Sequence, residues 1–150
     1  MQNVNYAGFD ELLKRYGGLG FQVLGFPCNQ FGAQAPCSSE CERAYFYHKL
    51  NITEGALPAF VFDKVIVNGP GTLEAFAVLK GGGGQDIAWN YEKFLVGADG
   101  KVVKRYLSAE SPKAAEAEIR RLVGLDSHGL GTAAVSVGAA ATVTSSLSKL

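Results

Sequence analysis

The segment EKFLVGADGKVVKRY at 92–106 constrains the fold more than any other stretch of this sequence. Two runs rich in β-forming residues flank Asp99-Gly100, a dipeptide typical of tight hairpin turns. The next segment, SPKAAEAEIRRLVG at 111–124, is predicted to be a helix, because Ser111 can cap it and a proline occupies its first position. A β-hairpin followed by a helix is therefore predicted for this part of the chain.

Upstream of the hairpin, helical and strand patterns alternate. In NYAGFDELLKRYGG (5–18), Asn5 can cap a helix whose apolar residues recur at the spacing of one helix face. The run FQVLGF (21–26) is short and largely apolar, as strands buried on both faces of a sheet are. Three further elements are predicted, a helix at 38–50, a strand at 57–65 and a helix at 72–80. This order predicts an α/β domain with a mixed central sheet flanked by helices.

The amino-acid composition indicates a single globular domain. The 150 residues are 47% hydrophobic and 19% charged, which is typical of a single globular domain. Lys+Arg and Asp+Glu both number 14, so the sequence does not indicate a basic surface for nucleic acid. The N-terminal stretch MQNVNYAGFDELLKRY lacks the apolar core of a secretory signal peptide, so none is expected.

The composition changes after Leu125. Residues 126–150 are almost uncharged and consist mostly of Gly, Ala, Ser, Thr and Val. Interleaved hydroxyl side chains and glycines argue against a membrane-spanning helix. We therefore expect residues 1–125 to form the folded domain and residues 126–150 to form a low-complexity, disordered tail.

The sequence holds three cysteines, Cys28, Cys37 and Cys41. An odd number at this low density favours thiols that stay reduced, and hence an intracellular protein, with the cytoplasm favoured over organelles. The spacing of these cysteines and His48 differs from the tight pairs of zinc sites, so no metal site is expected. Cys37 and Cys41 are interpreted as incidental thiols that share a helix face.

Neutral hydrogen-bonding side chains lie in two predicted loops. Gln30 follows the first strand in GFPCNQFG, and Trp89 and Asn90 lie in AWNYEKF. Amide and indole N–H groups donate without carrying charge, so three of them together could stabilise a thiolate or a developing oxyanion. Taken singly, such an amide is as typical of a turn, and a single tryptophan is as typical of a core.

Three segments resemble the glutathione peroxidase family, including its thioredoxin-dependent members: LGFPCNQFGAQ (24–34), FVFDKVIVNGPG (60–71) and IAWNYEKFLVGADGKVVKRY (87–106). The resemblance implies a thioredoxin-like fold and the thiol-dependent reduction of hydrogen peroxide and of organic or lipid hydroperoxides. In that family a peroxidatic cysteine or selenocysteine attacks the O–O bond, and thiols then restore it. The family residues that hydrogen-bond this nucleophile match Gln30, Trp89 and Asn90.

The family's nucleophile has no counterpart in the sequence. It lies in a segment like N-V-A-S-x-C-G-x-T, which would precede Met1, and on a strand that normally takes an interior place in the sheet. The resemblance therefore implies an N-terminally truncated member that lacks its first strand. Cys28 matches a family cysteine that is generally not the attacking thiol, and the place of the resolving cysteine falls near Tyr47. Cys28 and Cys41 are left as candidate redox thiols.

The resemblance also implies partners. Thioredoxin or glutathione would be the reductant, with no further cofactor, and membrane lipid hydroperoxides would be compatible substrates. No nucleic-acid partner is expected, and the lack of an insertion found in tetrameric members favours a monomer. The alternative interpretation is a non-catalytic protein, or a thiol sensor that interacts with thioredoxin through Cys28, Cys37 or Cys41.

Overall fold

The computed structural model describes residues 2–125 and the backbone of residues 141–144. The helices are α1 Gln2–Tyr16, α2 Ser39–Leu50, α3 Glu74–Leu79 and α4 Glu116–Leu122. The strands are β1 Gln22–Gly25, β2 Ala59–Val61, β3 Lys93–Val96, β4 Val102–Tyr106 and β5 Ala141–Thr144. From α1 to α4 the elements follow the predicted order, and β1 to β4 are shorter than the segments predicted for them.

Helix α1 buries the apolar face that its spacing predicts, namely Phe9, Leu12, Leu13 and Tyr16. The prediction that Asn5 caps this helix is wrong, because α1 begins before it. Asn5 is 1% exposed, and its Oδ1 accepts a hydrogen bond of 2.9 Å from Lys93 Nζ. Its side chain therefore joins α1 to β3 instead of starting the helix.

The five strands form one mixed sheet in the order β2-β1-β5-β3-β4. Strand β1 pairs in parallel with β2 and β5, whereas β3 pairs antiparallel with β5 and β4. Strand β5 has ladder partners on both sides, since Val143 pairs with both Leu24 and Phe94. It thus takes an interior place in the sheet, the kind of place that the resemblance assigns to a strand preceding Met1.

The expectation of a disordered tail does not hold for Ala141–Thr144, the residues of β5. Three of these four residues are β-branched, which suits a strand. The facing edges of β1 and β3 offer backbone hydrogen bonds on both sides, and buried backbone groups require such partners. Composition alone could not show this pairing, because both partner strands are distant in sequence. The rest of the predicted tail, 126–140 and 145–150, lies outside the described residues.

The predicted hairpin is present as β3 and β4, but its turn is wider than the predicted tight turn. Gly97 N donates to Lys101 O at 2.9 Å, so the connection runs from 97 to 101. Gly100 has φ +77°, the left-handed conformation that glycine adopts most readily. The strand pairing also slips by one residue between Leu95 and Val96. This bulge accounts for a loop longer than a two-residue turn.

Two clusters of buried apolar side chains lie within the described residues. The larger cluster joins α1, α2 and α4 to the sheet and includes Phe9, Leu13, Phe21, Phe46, Leu95 and Ile119. The smaller cluster lies beside the loop that follows β1 and consists of Phe26, Cys28, Phe31, Val67, Phe76, Ile87 and Phe94. Gln30 adjoins Phe31 of this smaller cluster in the chain.

Candidate functional site

The side chain of Gln30 joins two loops. Gln30 lies in the loop after β1, and its Oε1 accepts hydrogen bonds from Val67 N at 2.8 Å and from Asn68 N at 3.1 Å. Its Nε2 donates to Asn68 O at 2.9 Å. One of the two Nε2 hydrogens is thereby used, and the other has no acceptor among the described residues.

Asn68 extends this connection to the loop that precedes β3. Its Nδ2 donates to Ile87 O at 2.7 Å, and its Oδ1 accepts from Ile87 N at 3.0 Å. Lys80 Nζ donates to Val67 O at 2.8 Å from the end of α3. The role of Asn68 could not be predicted from sequence, because its partners here are backbone groups that no local sequence pattern indicates.

Asn90 is almost completely buried in the same region, with 1% of its surface exposed. Its Nδ2 donates to Gln34 Oε1 at 2.7 Å and lies 3.5 Å from Phe31 O. Its Oδ1 is buried and has no hydrogen-bond partner among the described residues. Leaving such an oxygen unpaired costs about 1–3 kcal/mol, so Asn90 offers a strong acceptor to a donor that enters this region.

Trp89 lies next to Asn90, at the surface. Its side chain is 42% exposed, and its ring centroid lies 6.0 Å from that of Phe31. Within the described part of the chain, no residue accepts a hydrogen bond from the indole N–H. The indole is therefore held by ring packing, and its N–H is available as a donor.

We call Gln30, Trp89 and Asn90 the polar triad. The structure brings these three residues into one region, since Phe31 follows Gln30 in the chain and contacts both Trp89 and Asn90. Part of their hydrogen-bonding capacity is used within the protein, by Asn68 and Gln34. The groups of the triad without a partner among the described residues are one N–H of Gln30, the indole N–H and Asn90 Oδ1, the last of which is buried.

A buried ion pair fixes the backbone around the triad. Glu92 is fully buried, and its Oε2 lies 2.6 Å from Arg105 Nη2. Its Oε1 accepts a hydrogen bond of 2.6 Å from Ala88 N. Arg105 also donates to Gln85 O at 2.6 Å and to Asp86 O at 2.7 Å. The sequence analysis missed this pair, because Glu92 and Arg105 meet only when β3 and β4 form the hairpin.

Lys93 supports the unusual backbone of Tyr91. Tyr91 has φ +62°, a conformation that costs a non-glycine residue about 1–3 kcal/mol. Lys93 Nζ, which is buried, donates to Tyr91 O at 2.8 Å and to Glu110 O at 2.7 Å. Burial lowers the pKa of Lys93 to about 8. Lys93, also missed from sequence, thus stabilises the turn that carries Trp89 and Asn90.

Cys28 lies inside the smaller apolar cluster and is 1% exposed. Its Sγ is 3.5 Å from both the backbone N and the Oε1 of Gln30. Burial raises the pKa of the Cys28 thiol, and the backbone N–H of Gln30 opposes this effect in part. A buried thiol with a raised pKa is a weak nucleophile, so the geometry favours packing over attack on a substrate.

The structure corrects the interpretation of Cys37 and Cys41 as incidental thiols. The two residues form a disulfide at the start of α2, with their Cα atoms 5.8 Å apart. The candidate redox thiol Cys41 is therefore one half of a disulfide. Tyr47, near which the resemblance places a resolving cysteine, is buried and donates its hydroxyl to Ala59 O at 3.0 Å.

Neither a metal-binding cluster nor a membrane-spanning helix occurs in the described part of the chain. Within residues 2–125, no group of three or more His, Cys, Asp or Glu side chains is placed to hold a metal ion. In the same part, none of the helices has both the length and the apolar character needed to cross a membrane.

Comparison with known proteins identifies the relatives of the chain. A family profile described as glutathione peroxidase matches residues 1–80. Hydroperoxy fatty acid reductase gpx1 of Synechocystis sp. is 41% identical over 128 residues, which are 79% of this chain and 73% of the relative. A probable phospholipid hydroperoxide glutathione peroxidase of Mesembryanthemum crystallinum is 40% identical over 133 residues, 83% of this chain and 72% of that protein.

Other similarities bear on fold and length. The crystal structure of Trgpx in its apo form is similar with a TM-score of 0.57 and 31% identity, over 79% of this chain and 70% of that chain. The predicted thioredoxin-like α/β fold is thereby confirmed. Putative glutathione peroxidase 7, chloroplastic, of Arabidopsis thaliana is 42% identical, and the matched part spans 51% of that protein. The chain thus corresponds to about half of this relative's length.

Proposed function

Because this chain belongs to the glutathione peroxidase family, we propose that its polar triad serves the thiol-dependent reduction of hydroperoxides. The observation that carries the proposal is the buried, unpartnered Oδ1 of Asn90, in the same region of the fold as Gln30 and Trp89, to which Phe31 connects it. A hydroperoxide, R–O–O–H, has one hydrogen to donate and two oxygens that accept. Its hydrogen-bonding groups therefore match those that the triad leaves open.

The proposed reaction requires a thiolate or selenolate beside the triad. This atom attacks one peroxide oxygen and breaks the O–O bond; the sulfur or selenium becomes a sulfenic or selenenic acid, and the leaving oxygen takes up a proton as alcohol or water. Two thiols, from thioredoxin or glutathione, then restore the nucleophile and release water and a disulfide. The N–H groups of Gln30 and Trp89 would stabilise the anionic nucleophile and the leaving oxygen without competing for protons.

The nucleophile is assigned to the N-V-A-S-x-C-G-x-T segment that the resemblance places before Met1. Cys28 is a poor substitute, because it is buried in an apolar cluster and its thiol pKa is raised. A second candidate function, thiol–disulfide exchange without peroxide reduction, is favoured by the disulfide between Cys37 and Cys41.

The test compares the 150-residue chain with the same chain extended by that segment. Oxidation of NADPH is followed with a thioredoxin or a glutathione recycling system, using hydrogen peroxide and a lipid hydroperoxide. Turnover is expected in the extended chain and should require its added cysteine. Gln30→Ala and Asn90→Ala should each lower kcat/KM by about 10²-fold, as is typical when one stabilising hydrogen bond is removed.

The matched control is Gln85→Ala, a substitution of an exposed glutamine whose contact in this region is made by its backbone oxygen. This variant should keep full activity. A folded extended chain that consumes no NADPH would contradict the proposal. Turnover by the 150-residue chain that Cys28→Ala abolishes would transfer the role of nucleophile to Cys28.

A further inference from the structure

A disulfide between Cys37 and Cys41 lies at the N-terminal end of α2. Ser38 caps this helix, and its Oγ accepts a hydrogen bond of 3.3 Å from Cys41 N. Cys41 is therefore held in the first turn of the helix, where backbone N–H groups are not used by the helix itself. Such a position stabilises a sulfur that becomes a thiolate.

The two cysteine residues differ in their exposure. Cys41 is exposed, whereas Cys37 is half-buried. The Sγ of Cys37 lies 2.9 Å from Oε1 of Glu42, a residue that is fully buried. Since a nucleophile must approach the sulfur that it attacks, Cys41 Sγ is the atom that an external thiolate can reach.

The hydrogen bonds around the disulfide indicate that it is not needed to hold this segment. Ser38 caps α2, Ser39 Oγ accepts from Lys64 N at 3.1 Å, and Lys64 Nζ donates to Ala35 O at 2.9 Å. In addition, the bridge joins residues only four apart in sequence, and closing so short a loop removes little entropy from the unfolded chain. Opening the bridge should therefore leave the helix and its loop in place.

We propose that Cys37 and Cys41 form a redox site that exchanges its disulfide with a thiol reductant, through attack on the sulfur of Cys41. The reductant is either the dithiol of a protein or a low-molecular-weight thiol such as glutathione. This proposal does not depend on the reduction of hydroperoxides by the polar triad.

The exchange balances in two steps. The reductant's thiolate attacks Cys41 Sγ, an S–S bond forms between them, and the bond to Cys37 breaks. Cys37 leaves as a thiolate and takes up a proton from the solvent. A second thiol of the reductant then attacks the mixed disulfide and releases Cys41, which is protonated in turn. In sum, two thiols are oxidised to one disulfide, and the protein disulfide is reduced to two thiols.

The experiment uses the full chain carrying Cys28→Ala, so that Cys37 and Cys41 are its cysteines. The protein is oxidised with glutathione disulfide, freed of it, and then reduced in two separate arms without any hydroperoxide. One arm contains NADPH, thioredoxin reductase and thioredoxin, and the other contains NADPH, glutathione reductase and glutathione. A variant with all three cysteines replaced by alanine is the matched control.

We expect one NADPH to be consumed per chain in at least one arm, none in the control, and two sulfurs to become alkylatable. The helical circular dichroism signal should not change upon reduction. Consumption of NADPH in the thioredoxin arm alone would identify a protein dithiol as the reductant, and consumption of NADPH in the glutathione arm would identify the small thiol. The proposal is overturned if both sulfurs stay alkylatable after oxidation, or if both arms reduce the bond only after urea unfolds the chain.

Discussion

At the scale of single residues, Gln30 combines a structural role with its proposed chemical role. Its side-chain amide makes three hydrogen bonds to the backbone of Val67 and Asn68, and thereby fixes the loop beside the polar triad. Val67 is fully buried, so its N–H has no water to replace Gln30. The contribution of Gln30 to stability is therefore measurable apart from any activity.

Gln30→Ala should lower the free energy of unfolding by about 1–3 kcal/mol, because it leaves a buried backbone N–H without an acceptor. Urea denaturation followed by circular dichroism measures this change. Gln85→Ala serves as the control and should change stability by less than about 0.5 kcal/mol. Equal effects of the two substitutions would show that the hydrogen bonds of Gln30 contribute nothing to stability.

A second prediction at this scale is that the stability of the fold depends on pH through the buried Lys93. Burial lowers the pKa of Lys93 to about 8 in the folded protein, whereas an unfolded chain keeps the ordinary value near 10.5. Between these two pKa values the unfolded state binds more protons than the folded state, so the stability that Lys93 contributes rises with pH. Below pH 8 Lys93 is protonated in both states, and its contribution to stability is constant. Between pH 8 and pH 9 the gain should be about 1 kcal/mol.

The measurement is urea denaturation at pH 7, 8 and 9 for the wild-type chain, Lys93→Gln and Lys101→Gln. Burial raises the pKa of Cys28, which has the opposite effect near pH 9, so the difference between the wild type and Lys93→Gln is the relevant quantity. Lys101 is exposed and its replacement should leave the pH dependence unchanged. The prediction fails if Lys93→Gln shows the same rise in stability as the wild type.

At the scale of elements, the interior strand β5 is the least expected feature. It pairs with β1 over Gln22–Gly25 and with β3 over Lys93–Val96. Deletion of 141–150 should therefore destabilise the fold by several kcal/mol, at about 1 kcal/mol for each ladder hydrogen bond lost. Hydrogen exchange should show faster exchange of backbone amides in β1 and β3. Deletion of 145–150 alone is the control, since β5 ends at Thr144.

Unchanged stability and unchanged amide protection after deletion of 141–150 would show that β5 does not complete the sheet in solution. If it does complete the sheet, β5 and the strand of an added N-V-A-S-x-C-G-x-T segment compete for one interior place. In the extended chain, amides of 141–144 should then exchange faster than in the 150-residue chain.

Helices and the hairpin could be predicted from sequence because their signals are local. The spacing of Phe9, Leu12 and Leu13 predicts the buried face of α1, and the helix predicted at 38–50 is present as α2. Asn5 was wrongly predicted to cap α1, because the sequence alone does not show that its side chain accepts a hydrogen bond from Lys93. The place of β5 and the bulge in the pairing of β3 with β4 could not be predicted either, since both depend on the pairing of strands in the folded state.

At the scale of the whole molecule, the candidate site is formed by loops that are far apart in the chain. The resemblance singled out Gln30, Trp89 and Asn90, and the fold brings their loops together through contacts that sequence did not indicate. Asn68 joins the loops that follow β1 and β2 to the loop before β3, and Gln34 receives the N–H of Asn90. Residues with such connecting roles carry no local signal, because their partners are backbone groups or side chains defined only in the folded state.

The central claim is that the N–H groups of Gln30 and Trp89, two members of the polar triad, stabilise an anionic nucleophile placed beside them. Its most direct test is the rate of alkylation by iodoacetamide against pH, measured for the added cysteine of the extended chain in which Cys28, Cys37 and Cys41 are replaced by alanine. We predict a thiolate pKa below the ordinary value of about 8.5, and a return toward that value in Gln30→Ala and Trp89→Phe. The same pH profile with and without the triad side chains would contradict the claim.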